Sequence, residues 1–280
     1  MKNIDRIFDE NATRYQLVKS NPGKMDYNWL FLPGGPGIDS DYLLQLINEI
    51  DVEGNYWLID LPYNGNNVSS HIEPNEAYAN WGNYLLAAVH KFKNPILVGH
   101  SFGGYFPLFF PQLEEISRGL VILNSVPSLN SDEVEKLIKI YKLPSRAAYL
   151  TAFLNNPTTN TTRDLYLAGV PYCFSENNLK MGVKLIEDLK FNVDTGYWWH
   201  TQGSKNYATI KWIPQKVPLM IVGGSHDFLT PISLFQQDSR FHRNNIEIIS
   251  IPDAGHFPWM EQPVLIRDIF KSFEAKLNSE

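Results

Sequence analysis

The chain of 280 residues has one cysteine, Cys173. That excludes an internal disulfide, and with it the small disulfide-framed secreted folds. No apolar run approaches the ~20 residues that a membrane-spanning helix needs. The first segment, Met1 to Gln16, carries Asp5, Asp9 and Glu10 and no apolar stretch, so no secretory signal is expected and the expected location is cytoplasmic. There is no basic block. The 24 Lys and Arg stand against 30 Asp and Glu, for a formal net charge of -6. This balance speaks against nucleic acid and against a membrane surface as partners, and leaves a small-molecule substrate. Internal repeats and low-complexity tracts are absent. The histidines are scattered without ligand spacing, so no metal and no organic cofactor is expected. What is present is length and a hydrophobic content of 44%, enough for one large α/β domain or a core domain carrying an insertion.

One stretch organises the rest. Pro95 to Val98 is a short apolar run that reads as a buried strand. Gly99-His100-Ser101-Phe102-Gly103-Gly104 follows at once and fits Gly-x-Ser-x-Gly, and a Phe- and Leu-rich helical segment comes next. Strand, tight turn and helix form the context of a nucleophile elbow. The turn strains the serine backbone, so the residues two places either side must be small, as Gly99 and Gly103 are. The amide of Phe102 then opens the helix and points at a developing oxyanion. The plainer alternative is a chance match in a loop.

Before this stretch, Arg14 to Val18 and Tyr27 to Leu32 read as strands about the turn Asn21-Pro22-Gly23-Lys24. The second runs into Pro33-Gly34-Gly35-Pro36-Gly37. Its glycine pair lets the backbone approach a ligand, and the Gly35 amide is the expected second oxyanion donor. Phosphate binding is the weaker reading, because no Gly-Lys-Ser/Thr follows. Asp39 or Ser40 caps a helix over Asp41 to Ile50. Tyr56 to Ile59 is a strand ending at Asp60, whose position in a turn-rich loop favours a structural role. An amphipathic helix covers Glu76 to Phe92, and Gly119 to Leu123 is another buried strand.

After Pro127 the strand–helix rhythm stops. The reading is an α/β core over 1–127 and 213–280, with a mostly helical cap inserted over 128–212. The cap is crowded with aromatics, most of them expected in its own core. Trp198 and Trp199 cannot both face inward on a helix, so one of them is expected to line a pocket or an edge, and both stand as candidate substrate-binding residues. His200 and Cys173 are expected to have no chemical role. Val217 to Val222 and Ile246 to Ile251 are strands, and Pro263 to Leu277 is a closing helix.

Each of the last two strands leads into a loop with a candidate group, Asp227 and then His256. With Ser101 they fall in the order nucleophile, acid, histidine, each at the carboxyl end of a parallel strand where open α/β sheets bind ligands. Serine is a weak nucleophile and needs a base, which His256 supplies. Asp227 would hold the imidazole in the right tautomer. His100 and His226 compete as the base, and Asp253 competes as the acid. His100 should point away from the serine, and His226 shares the loop of the acid.

These residues carry a family resemblance. Gly99 to Gly104, Ser225-His226-Asp227 and Ala254-Gly255-His256-Phe257-Pro258 resemble an α/β-hydrolase-fold serine hydrolase. Pro33-Gly34-Gly35-Pro36-Gly37 is similar to the His-Gly-Gly-Pro-Gly of the proline iminopeptidase branch, with Pro33 where that family has histidine. The resemblance implies a triad of Ser101, Asp227 and His256, an oxyanion hole from Gly35 and Phe102, and a helical cap over the site. The substitution at Pro33 implies that the loop is ordered by other hydrogen bonds here. Ser101 argues against the aspartate-nucleophile dehalogenases and epoxide hydrolases. The expected activity is cleavage of a small ester or related acyl compound. The alternative is an aminopeptidase, which needs a cap carboxylate such as Glu176, Glu187, Asp188 or Asp194 to hold the substrate ammonium. A non-catalytic binding protein on the same fold is the third possibility.

Overall fold

The structure, a computed structural model, describes residues 6–68, 71–129 and 132–279. Short runs of apolar and β-branched residues form one sheet of eight strands. They are β1 (Arg6–Phe8), β2 (Arg14–Asn21), β3 (Asn28–Leu32), β4 (Gly54–Asp60), β5 (Pro95–His100), β6 (Gly119–Leu123), β7 (Leu219–Gly224) and β8 (Ile246–Ile251). Their order is β1-β2-β4-β3-β5-β6-β7-β8. β1 and β2 run antiparallel, and every later pairing is parallel apart from that of β2 with β4. The central strands are buried throughout, as expected of a sheet covered on both faces.

Period-two alternation decides what each face packs against. On β5, Leu97 joins the apolar layer formed with Trp81 and Leu85 of helix α2. Its neighbours Ile96 and Val98 join the opposite layer, formed with Leu46 and Ile47 of α1 and with Ile266, Phe270 and Phe273 of the C-terminal helix Pro263–Ser279. Here α1 is Leu44–Glu49 and α2 is Pro74–His90. Phe270 and Phe273 are essentially inaccessible to solvent, and each such side chain contributes roughly 2–3 kcal/mol through burial.

Several boundaries differ from the sequence expectation, each for a local reason. β1 is an exposed edge strand of three residues and carries no apolar pattern to read. The helix expected over Asp41 to Ile50 is a 3-10 turn, Ser40–Leu43, capped by Asp39, followed by α1. β7 begins two residues late. The Lys216 and Val217 amides donate to the Glu114 carboxylate at 2.7 and 3.0 Å instead of entering the ladder, and Pro218 has no amide to offer. Asp60 is structural, as expected. It is fully buried, takes Arg14 Nη2 at 2.8 Å, and accepts the Ser40 amide and hydroxyl, both at 2.7 Å. Burial raises its carboxyl and the Arg14 charge opposes that rise.

Between β6 and β7 the chain is helical, with Asp132–Ile140, Ala147–Asn155, Thr159–Leu167, Val170–Cys173, Leu179–Asp188 and Val193–Trp198 as its main elements. Backbone bonds seat this segment on the sheet. The His256 amide donates to Cys173 O at 2.7 Å, the Phe228 amide to Tyr172 O at 2.9 Å, and the Asn192 amide to Gly37 O at 2.7 Å. The segment therefore reaches directly to the loops at the carboxyl ends of β3, β7 and β8.

Candidate active site

Ser101 stands between β5 and helix α3 (Phe102–Tyr105) with φ 53° and ψ -117°. A non-glycine residue held in such a strained conformation costs about 1–3 kcal/mol and persists only where its surroundings enforce it. Here they do. The Ser101 amide donates to Leu123 O of β6 at 2.9 Å, and its carbonyl accepts from Gly104 and Tyr105, both at 3.0 Å. The flanking glycines are steric necessities. A Cβ on Gly99 would lie 2.0 Å from Gly103 O, and one on Gly103 would lie 2.4 Å from Leu32 O.

His256 follows β8 and is 4% exposed. Its Nδ1 donates to Asp227 Oδ2 at 2.8 Å, because a carboxylate can only accept. That fixes the tautomer and leaves Nε2 as the basic nitrogen. Asp227 also accepts from Asn124 Nδ2 at 2.9 Å, from the Thr230 hydroxyl at 2.5 Å, and from the amides of Leu229 and Thr230 at 3.0 and 2.9 Å. Burial pushes this carboxyl up, but the His256 charge and these hydrogen bonds outweigh it and hold it at about 2. Asp227 is thus an anion whose lone pairs are all engaged. Asn124 and Thr230 were not singled out from the sequence. Asn124 directly follows β6, the strand beside β5, a position that points to the site, while Thr230 lies in the same loop as the acid.

The rival groups are placed elsewhere. Asp253 is exposed and its amide donates to Ser225 Oγ at 3.1 Å. His226 Nδ1 meets Ser225 Oγ at 3.0 Å on an outer groove. His100 is buried in a different network. The Gly34 amide donates to the Tyr42 hydroxyl at 2.8 Å, the Tyr42 hydroxyl to His100 Nδ1 at 2.7 Å, and His100 Nε2 to His256 O at 2.9 Å. The carbonyl can only accept, so Nε2 carries the proton and Nδ1 is bare. Burial, then the nearby His256 charge, holds His100 neutral, well below its ordinary value. Tyr42 thus ties down the glycine loop after β3 through the Gly34 amide.

The Gly34 amide is consumed by Tyr42. The Gly35 amide, at φ 111°, has no acceptor among the described residues, and the Phe102 amide opens α3 without an intrahelical partner. Gly35 lines both cavities at the site, and Phe102 lines the wider one.

Two cavities meet at Ser101. The narrower, of about 90 Å³, runs under the helical segment past His256, Tyr42, Val170 and Phe174. The wider, of about 260 Å³, runs past Phe102, Ser125, Trp199 and His200. Ser101, Gly35, Arg146, Tyr166 and Leu229 line both. Of the tryptophan pair, Trp199 lines the wider cavity, edge-on to Phe102 at 5.0 Å. Trp198 is not among the described residues lining either cavity. It is buried between Tyr78, stacked at 4.4 Å, and Trp81, edge-on at 5.6 Å, since adjacent helical residues point about 100° apart. None of the cap carboxylates Glu176, Glu187, Asp188 and Asp194 is among the described residues lining either cavity. Among the described residues no cluster of His, Cys, Asp and Glu could hold a metal ion, and no helix is long and apolar enough to cross a membrane.

A strained serine, an imidazole fixed by a carboxylate and two uncommitted amides are the parts that acyl transfer requires. Comparison with known proteins agrees with the architecture. A model of the alpha/beta hydrolase family matches residues 29–269. A pimeloyl-acyl-carrier-protein methyl ester esterase from Wigglesworthia glossinidia brevipalpis is 25% identical over 249 residues, covering 82% of this chain and 88% of that one. The solved structure of a thermophilic esterase superposes with a TM-score of 0.62 at 20% identity, covering 98% of both chains. A proline iminopeptidase-related protein from Thermus thermophilus gives a TM-score of 0.68 at 16% identity, again over 98% of both chains. At these identities the structural likeness concerns the fold alone. The family match spans the chain from β3 into the C-terminal helix, and this protein belongs to the alpha/beta hydrolase family.

Proposed function

We propose that this protein is a serine hydrolase of esterase type that cleaves a small ester through an acyl-enzyme. The observation that carries the reading is that Ser101, at its positive-φ turn, and His256, fixed by the Asp227 carboxylate, open onto one cavity. Ser101 Oγ attacks the ester carbonyl as His256 Nε2 takes its proton. The carbonyl oxygen becomes an anion held by the Gly35 and Phe102 amides, worth about 3–4 kcal/mol per donor in comparable sites. His256, stabilised as a cation by Asp227, returns the proton to the leaving alkoxide, and the alcohol departs. Water, activated by the same imidazole, then cleaves the acyl-enzyme and regenerates Ser101. No resident metal or organic cofactor enters these steps. The helical segment 128–212 acts as the cap that excludes solvent from them.

The aminopeptidase alternative has weaker support. It needs a carboxylate facing the bound amine, and the charged side chain common to both cavities is Arg146. The test is turnover on paired substrates of one acyl group, as the methyl ester and as the aminoacyl anilide with a free amine. Ester turnover that disappears in Ser101→Ala supports the reading. Anilide turnover exceeding ester turnover would replace it with the aminopeptidase, and binding without turnover of either would make the protein a non-catalytic binder.

A further inference from the structure

Arg146 stands at the start of the helix Ala147–Asn155 and, like Ser101, lines both cavities. The arginines that pair with carboxylates are Arg6, Arg14, Arg240 and Arg267. Arg146 has no such partner among the described residues. Its Nε is buried without a hydrogen bond, and its Nη2 reaches only Leu165 O at 3.5 Å. The guanidinium lies 5.5 Å from the centroid of the Tyr172 ring, which holds it in place without neutralising it. A second polar group in the wider cavity is also unsatisfied. Ser125 is 3% exposed and its hydroxyl has no partner among the described residues. Arg146 is half-buried with its Nε shut off from water and unpaired, and the Ser125 hydroxyl is buried and unpaired; each is costly, and an anion that accepts from both removes the cost.

Direction follows from the proton. His256 lines the narrower cavity and must hand its proton to the leaving oxygen, so the alcohol leaves on that side. The acyl chain then lies in the wider cavity, with Ser125 and Arg146. Resting on the hydrolase reading above, we propose that Arg146 and Ser125 form an anion subsite, and that the substrate is an ester of a small alcohol whose acyl chain carries a carboxylate. The Arg146 charge is felt along both cavities. It opposes the burial that pushes the Tyr166 phenol up to about 12, and adds to the burial that lowers His200. An arginine and a carboxylate meet as a bidentate, charge-assisted pair, which makes the subsite selective as well as attractive. A substrate ammonium in the same place would be repelled.

The test compares monomethyl glutarate with two methyl esters of the same chain, one with an isopropyl group and one with an ammonium in place of the carboxylate. Wild-type kcat/KM should favour the carboxylate ester over the isopropyl ester by about tenfold or more, with the ammonium ester poorest. Arg146→Gln should erase that preference chiefly through KM, Arg146→Lys should restore part of it, and Ser125→Ala should reduce it. Raised salt should shrink the preference. An equal or reversed preference in wild type, with the isopropyl ester hydrolysed, would overturn the anion subsite and leave the hydrolase standing. The same holds for a preference unchanged in a folded Arg146→Gln protein. No turnover of any ester would overturn the hydrolase reading and the subsite together.

Discussion

The Tyr42 hydroxyl lies 2.7 Å from His100 Nδ1, and that bond couples the Gly34 loop after β3 to the His256 loop after β8. Each donor in the chain has one acceptor, and the arrangement closes only with a neutral His100. Tyr42→Phe removes the central link and leaves the Gly34 amide and His100 Nδ1 unpaired. Stability should fall by about 1–3 kcal/mol in chemical denaturation. The kcat for ester hydrolysis should fall about tenfold to a hundredfold with KM little changed, because the adjacent Gly35 amide loses its aim.

His100 also sets a pH dependence. Its folded value lies well below the ordinary 6.5. As pH falls below that ordinary value, the unfolded chain binds a proton here and the folded chain does not. Stability therefore declines by up to about 1.4 kcal/mol per pH unit, and is flat above it with respect to this group. Asp227, held at about 2, contributes stability that is complete above its unfolded value and is lost as pH falls toward the folded one. Denaturation midpoints measured from about pH 8 to about pH 5 should fall more steeply in wild type than in His100→Gln. Parallel slopes would show that His100 is not held neutral.

Asp227→Asn keeps the shape of the site but removes the charge and the tautomer control over His256. The expected loss in kcat is about ten-thousandfold, with the fold intact by circular dichroism. Thr230→Val removes one of the hydrogen bonds that hold the Asp227 carboxylate. Its loss should be nearer tenfold, since the donors from His256, Asn124 and the two backbone amides remain.

The two adjacent tryptophans should behave differently. Trp198→Ala empties a site packed by Tyr78 and Trp81 and should cost about 3–5 kcal/mol, read as a fall in Tm. Trp199→Ala should cost less stability and change KM across acyl chain lengths, because Trp199 lines the wider cavity.

The difference between legible and hidden features follows from their range of interaction. Gly119–Leu123 and Ile246–Ile251 are read from the sequence at both ends, because each is a compact apolar run bounded by turn residues. The turn at Ser101 is legible because backbone sterics alone demand Gly99 and Gly103. The start of β7 is not, since it depends on Glu114, about a hundred residues earlier in the chain, capturing amides that the local pattern assigns to a strand. Tyr42 sits in a segment that reads as ordinary amphipathic helix, and its partners Gly34 and His100 come from two other loops. Arg146 looks like any solvated charge until the tertiary fold shows it lining both cavities with no ion-pair partner among the described residues. A π-helical turn begins at Trp199, and no periodicity announces it.

The most direct test of the central claim is covalent labelling of folded protein with a fluorophosphonate probe, followed by intact-mass and peptide mass spectrometry. The expected result is one adduct per chain, located on Ser101, absent in Ser101→Ala and formed far more slowly in Asp227→Asn. An unlabelled wild-type protein, or an adduct that survives in Ser101→Ala, would contradict the assignment of Ser101 as the nucleophile and with it the proposed acyl-enzyme.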